Sequence, residues 1–250
     1  MIDIHLHLDG SLSHEDFLYF SKKEGISLTD EFPKNIYVKK DCKSLEDYLE
    51  RFDLPLLFLQ SEENLEYVTR SLVKRLYALE WFGPYESIED IWNDDDTQSC
   101  SIYLITGKES YERGSQHIKY VGITERDPAK RLSDKDHLKK QEKIKYKKYW
   151  VGRFSKSSNR NQRAHVELIE TLFIRYLFLA DVKIINKNKL KSIPRTPVTV
   201  LSRWFLKNSY QHRQHKPTLL RDLPDVIMFD GDEYWTSGKL AFSDKESNYC

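Results

Sequence analysis

Apolar and polar residues alternate over residues 2–8. Ile2, Ile4, Leu6 and Leu8 fall on one face and Asp3, His5 and His7 on the other, which is the period of a strand. Asp9-Gly10 ends that strand, and Ser13 or His14 opens a helix through Phe17, Leu18 and Phe20 that Gly25 stops. A second helix is expected after Ser44, where Ser44 and Asp47 form a capping-box pattern. A third runs from about Ser61 to Leu79, with Leu65, Val68, Leu72 and Leu76 near helical spacing and Ser61 as its cap. Residues 80–100 interrupt the pattern. Gly83-Pro84 is a strong breaker, and Asp94-Asp95-Asp96 is an acidic run of the kind found on solvated loops, so this stretch reads as a junction.

Beyond it, SIYLIT (101–106) and HIKYVGIT (117–124) read as two strands joined by a polar turn containing Gly107 and Gly114. A short helix over 128–135 begins at Pro128, a favoured first helical position. Residues 137–148 form a basic helix or loop, and YWVGRF (149–154) a third strand. A long helix over about 162–180 places Val166, Ile169, Leu172, Phe173 and Tyr176 along one face, and VKIIN (182–186) follows. The tail carries VTVLSRWF (198–205) and PDVIMFDGDEYW (224–235), the second reading as a hairpin turning at Asp230-Gly231. The chain thus divides into residues 1–79, a junction over 80–100, residues 101–190 and an extension over 191–250, with no internal repeat.

Charge sharpens this division. The net charge of +1 conceals 10 Lys/Arg against 22 Asp/Glu in residues 1–100, and 23 against 10 in residues 101–200. A step of that size suggests two modules with different partners, the basic one suited to a polyanion such as DNA. No apolar run is long enough to span a bilayer, so no membrane partner is expected. MIDIHLHLDGS lacks the basic and apolar regions of a signal peptide. Cys42, Cys100 and Cys250 are odd in number and show neither metal nor disulfide spacing. These features together predict a cytoplasmic protein of a reducing compartment.

Two groups of residues carry candidate chemistry. On a strand, His5 and His7 share a face and could present two imidazoles to one metal, with Asp9 following on the same face. A bare HxH is equally compatible with two ordinary histidines. IDIHLHLDGSLS followed by CKSLEDYLERFDLPLLFLQSEENLEYVTRSLVKRLYAL, over roughly residues 2–79, resembles the N-terminus of adenosine deaminases. The resemblance implies the start of a (β/α)8 barrel, one strand plus helices. It further implies that His5 and His7 are Zn2+ ligands and that Asp9 and Gly10 lie near a bound nucleoside. A catalytic zinc takes three protein ligands plus water. The later segments from which that family draws its remaining groups are absent from this sequence. His165-Val166-Glu167 is the nearest imitation, and His212 and His215 form a separate HxxH pair able in principle to bind metal. The segment therefore reads as a truncated or fused piece, not expected to deaminate adenosine alone.

The second group is Tyr103, Tyr120, Arg131, Glu170 and Asn186. Hydrolysis of a phosphodiester needs an attacking water, charge stabilisation on phosphate and usually a carboxylate-bound metal. Ser101-Ile102-Tyr103, Tyr120-Val121-Gly122, Arg131 eleven residues later, Glu170 on the long helix and Asn186 supply those types in order. This resembles the GIY-YIG nuclease superfamily, with Ser101 where its first Gly is usual. The resemblance implies an α+β fold with a small antiparallel sheet of three strands flanked by helices, and metal-dependent endonuclease activity on DNA. Tyr103 would stand near the attacking water and Tyr120 would position water or phosphate. Arg131 would contact the scissile phosphate, and Glu170 would bind Mg2+ (or Mn2+). Asn186, with Asn188 as its rival, would anchor the geometry, and His137 would assist. Lys130, Lys135, Lys139 and Lys140 would meet the DNA backbone. Each residue has a plainer reading: tyrosines suit strands, and a lysine run is commonly a solvated face. A DNA-binding module without catalysis fits the same residues.

Overall fold

The computed structural model describes residues 12–28, 44, 49, 52–155 and 162–237. His5, His7, Asp9, Gly10 and the expected strand over 2–8 lie outside the described residues, as does most of the helix expected after Ser44. The chain divides into two compact units, Met1–Leu76 with Ser243–Cys250, and Tyr77–Phe242.

The first unit holds helices α1 (His14–Glu24), α2 (Asp53–Phe58) and α3 (Glu62–Arg75). Ser13 caps α1 in a reciprocal box with Asp16, and Gly25 ends it with φ 68°, a left-handed conformation that costs glycine little. Leu12, Phe17, Phe20, Phe58 and Val68 form the apolar core. Asp16 is buried within it and accepts from the Ser13 backbone N–H (2.7 Å), the Ser13 hydroxyl (2.8 Å) and the Ser71 hydroxyl (2.7 Å). Arg75 pairs with the same carboxylate at 3.0 Å. A buried carboxylate is tolerated where it is paired and hydrogen-bonded in this way. Its contacts fasten the start of α1 to the end of α3.

The second unit is built on a seven-stranded sheet: β1 (Leu76–Tyr85), β2 (Ile102–Glu109), β3 (His117–Ile123), β4 (Ile144–Phe154), β5 (Val198–Phe205), β6 (Val226–Phe229) and β7 (Tyr234–Ser237). The order across the sheet is β3-β2-β4-β1-β5-β6-β7. β2 pairs antiparallel with β3 and β4, β1 with β4, β5 with β6, and β6 with β7. This corrects the expected three-stranded GIY-YIG-like sheet. β2, β3 and β4 are only one end of a sheet more than twice as wide.

The physical reason lies in residues 76–85. Leu79, Trp81, Phe82 and Tyr85 are all buried, so β1 is packed on both faces and shows no polar alternation to mark it as a strand. Gly83-Pro84 falls where the β1–β4 register shifts, between Phe82 and Tyr85. A bulge is a place where a strand tolerates proline's missing N–H. Asp94 is likewise no solvated loop residue: it is buried and accepts from the Tyr85 hydroxyl (2.5 Å), the Asn208 N–H (2.7 Å) and the Asp96 N–H (3.0 Å).

Two apolar clusters line the second unit. One contains Trp81, Leu104, Trp150, Ile169, Phe173 and Trp204, and includes the buried stripe of α7 (Gln162–Leu179). The other contains Phe82, Tyr85, Tyr103, Ile105 and Phe205, with Ile91 from α4 (Ile88–Trp92) and Ala129 and Leu132 from α5 (Pro128–Leu132). Ile102 and Leu104 belong to the first cluster and Tyr103 and Ile105 to the second, the alternation a strand imposes. Helix α6 (Lys135–Gln141) leads from α5 to β4. Among the described residues no helix is long and apolar enough to cross a membrane.

Candidate functional site

β2 and β3 carry Tyr103 and Tyr120 to one end of the sheet, their rings 6.0 Å apart. Tyr103 is almost fully buried. Its hydroxyl lies 3.4 Å from His137 Nδ1, and the charge of Arg131 is close enough to favour its ionised form. Burial drives the acidity of both phenols down, raising their pKa values, so neither is poised to lose a proton near neutral pH. His137 is buried edge-on to both rings. Burial, with Arg131 and Lys140 nearby, holds its pKa down to about 4, so the imidazole is neutral at pH 7. Its Nε2 has no hydrogen-bond partner among the described atoms.

Arg131 ends α5. Its guanidinium pairs with Asp134 Oδ2 at 2.9 Å, and Arg126 reaches the same oxygen at 2.6 Å. Burial pulls the Arg131 pKa down, but the Asp134 carboxylate outweighs it and raises it. The hydrogen bond from Arg131 leads the causes that lower the Asp134 pKa. The sequence reading missed Asp134, although its place three residues after Arg131 is a spacing at which helical neighbours meet.

Tyr120 and Glu170 line a cleft of about 290 Å3 together with Lys140, Asn186 and Lys189. Glu170 Oε2 accepts from Lys189 Nζ at 2.6 Å. The ammonium thus holds the oxygen that the Mg2+ reading gave to a cation. Among the described residues no three His, Cys, Asp or Glu side chains gather into a metal-holding group. Lys189 adopts φ 66°, and nothing in its surrounding sequence announces the pairing.

Asn186 sits in an extended segment beside β3 and treats that strand as a partner. Its Oδ1 accepts from Val121 N–H at 3.0 Å, and its Nδ2 donates to Val121 C=O at 2.8 Å. Ile185 N–H donates to Lys119 C=O at 2.7 Å. A side-chain amide has the donor and acceptor of a peptide group, so Asn186 continues the ladder where the backbone does not. Asn188 lines the same cleft.

Lys130, Lys135, Lys139 and Lys140 are exposed, with Lys130 Nζ 5.4 Å from the centroid of the Trp92 ring. His212 packs on the Phe205 ring at 4.2 Å and meets the Arg203 guanidinium, so it is engaged by protein groups. His165 lies against the Tyr77 hydroxyl. Burial leads the causes that push the Cys100 thiol above its ordinary pKa, which removes it from nucleophilic chemistry.

The comparisons with known proteins point to adenosine deaminases. Adenosine deaminase of Clostridium perfringens (strain ATCC 13124) is 46% identical over 77 residues, 29% of this chain and 23% of that enzyme. Adenosine deaminase of Haemophilus ducreyi is 40% identical over 112 residues, 41% of this chain and 33% of its own. Adenosine deaminase of Clostridium acetobutylicum is 30% identical over 119 residues, 44% of this chain and 36% of its own. The chain therefore spans between about a quarter and a third of the length of these relatives. No solved structure matches it. These findings overturn the expected endonuclease: what the chain matches are deaminases, and nothing among them supports a GIY-YIG component. Residues 1–79 match the family model described as adenosine deaminase.

Proposed function

We propose that residues 1–79 are a segment of an adenosine deaminase-like zinc aminohydrolase, supplying part of a zinc and nucleoside site. The observation that carries this reading is the match of residues 1–79, which contain the HxHxDG run, to the adenosine deaminase family model. In this reading His5 and His7 share one zinc ion, and Asp9 and Gly10 face the nucleoside. The buried Asp16 network supports it, because it anchors the helix that follows this run to α3. A zinc ion held by two imidazoles is short of the three protein ligands that catalysis needs.

The test is zinc stoichiometry and adenosine turnover on the purified chain. Zinc binding that disappears in His5→Ala and His7→Ala, with no conversion of adenosine to inosine by ultraviolet absorbance, is the expected result. Turnover that persists in His5→Ala would remove the histidine pair from the reading.

A second reading concerns the other unit: a non-catalytic site for a phosphate-bearing ligand, DNA included. It is supported by the Arg131 guanidinium, paired with Asp134 at 2.9 Å, in the same chain region as the exposed lysines of α5 and α6. Phosphate neutralised by lysine and arginine releases counterions, so affinity falls as salt rises. Binding measured by fluorescence anisotropy should weaken steeply between low and high salt without any strand cleavage. A salt-independent signal would count against it.

A further inference from the structure

Arg126 Nη2 and Arg131 Nη1 lie 2.6 and 2.9 Å from one oxygen, Asp134 Oδ2. One carboxylate cancels one guanidinium, so the trio retains a positive charge. All three side chains border water, with 56%, 37% and 32% of their surfaces exposed for Arg126, Arg131 and Asp134. Ion pairs so placed are screened and weak, and they open readily.

Both arginines line a cavity of about 680 Å3, within the range that holds small ligands. Elsewhere in its wall the charged groups are committed. Arg163 is held by Glu125 (2.6 Å) and Glu167 (2.9 Å). Asp127 accepts from the backbone N–H groups of Ala129 (2.8 Å) and Lys130 (3.1 Å). Ser101 is different: it lines the same cavity, is 5% exposed, and its Oγ has no hydrogen-bond partner among the described atoms. A buried hydroxyl without a partner is costly, and an incoming acceptor relieves that cost.

Two guanidiniums with unused donors and an unpaired hydroxyl, lining one cavity, match a group with several acceptor oxygens. A phosphate has enough oxygens to serve all three, whereas a carboxylate has two. We propose that this cavity takes the phosphate group of a small ligand, and that Asp134 is a built-in competitor holding Arg126 and Arg131 until that phosphate displaces it. The proposal rests on the second reading above, of a phosphate-bearing ligand at Arg131.

Calorimetric titration of the whole chain with inorganic phosphate and with a nucleoside monophosphate tests it. The proteins compared are the unaltered chain, Asp134→Asn and Arg126→Gln. Asparagine keeps the N-cap preference of position 134 at the start of α6, so Asp134→Asn preserves the helix, as thermal melting checks. Removing the competitor should tighten binding about fivefold, the worth of a weak exposed ion pair, and Arg126→Gln should weaken it. Equal affinity of the unaltered chain and Asp134→Asn overturns the competitor role while leaving the phosphate site standing. No binding by either protein overturns both. Binding of phosphate that is the same in all three proteins overturns the assignment to this cavity.

Discussion

Gly122 lies directly opposite Tyr103 across the β2–β3 ladder, and a β-carbon at Gly122 would sit 2.3 Å from Tyr103 Cζ. The phenol ring thus crosses the space that any side chain at 122 would need. Tyr103 is 1% exposed and cannot swing aside. Gly122→Ala should destabilise the second unit by about 1–3 kcal/mol, the usual cost of overpacking a filled site. Urea denaturation measures it. Combining Gly122→Ala with Tyr103→Leu should cost less than the two changes added separately, because the clash then has no ring. Full additivity would show that the two residues do not compete for this space.

The Asn186–Val121 pairing makes a different demand. Both the N–H and the C=O of Val121 depend on one side-chain amide. Asn186→Ala leaves that peptide group at the sheet edge without its partner and should cost about 1–3 kcal/mol. Amide hydrogen exchange gives the sharper readout: the Val121 N–H should exchange faster in Asn186→Ala while the Leu104 amide, deeper in the sheet, does not. Unchanged exchange at Val121 would mean that water replaces the side chain without penalty.

How far these features could be read from sequence depends on the range of the interaction that makes them. The helix α1 was legible because its signals are local: Ser13, Asp16 and Gly25 lie within one segment. Tyr103, Tyr120 and Glu170 stood out through the order of their residue types and the resemblance to the GIY-YIG superfamily, while local periodicity placed only the strands and helix that carry them. The width of the sheet was not legible. β1 is buried on both faces and carries Gly83-Pro84, and both features hide a strand from a search for alternation. The partners that define the candidate site were hidden for the same reason. Lys189 reaches Glu170 across 19 positions, and Asn186 reaches Val121 across 65.

Glu170 and Lys189 form a partly enclosed pair, 13% and 30% exposed. Removing the ammonium strands a carboxylate in a cleft with little water, whereas removing both charges leaves no unpaired ion. Lys189→Met should therefore destabilise the unit by about 1–3 kcal/mol. The double change Lys189→Met with Glu170→Gln should recover most of that loss. Denaturation midpoints of the two single variants and the double variant form the cycle. A double variant as unstable as the sum of its parts would show that the two side chains act independently.

The hairpin between β2 and β3 holds an acid-sensitive carboxylate. Glu112 accepts from Lys119 Nζ at 2.5 Å, the Glu109 backbone N–H at 3.0 Å and His117 Nε2 at 2.7 Å. Burial alone would raise its pKa, but these donors outweigh it and lower the carboxyl to about 2. Lys119 is fully buried; it also donates to the Lys183 carbonyl at 3.1 Å and lies 4.0 Å from Glu109 Oε2, so Glu112 is its nearest counter-charge. A carboxyl whose folded value is depressed stabilises the fold above its unfolded value near 4.3, and that contribution drains away as pH falls toward 2. Stability measured by urea titration should thus decline from about pH 4.5 downward. Glu112→Gln should be less stable at pH 7 by about 1–3 kcal/mol, because it leaves a buried ammonium with only the more distant and more exposed Glu109 carboxylate. The two proteins should converge as pH falls through the Glu112 titration. A constant stability gap between them from pH 7 to pH 2 would show that the charge of Glu112 plays no part in holding Lys119.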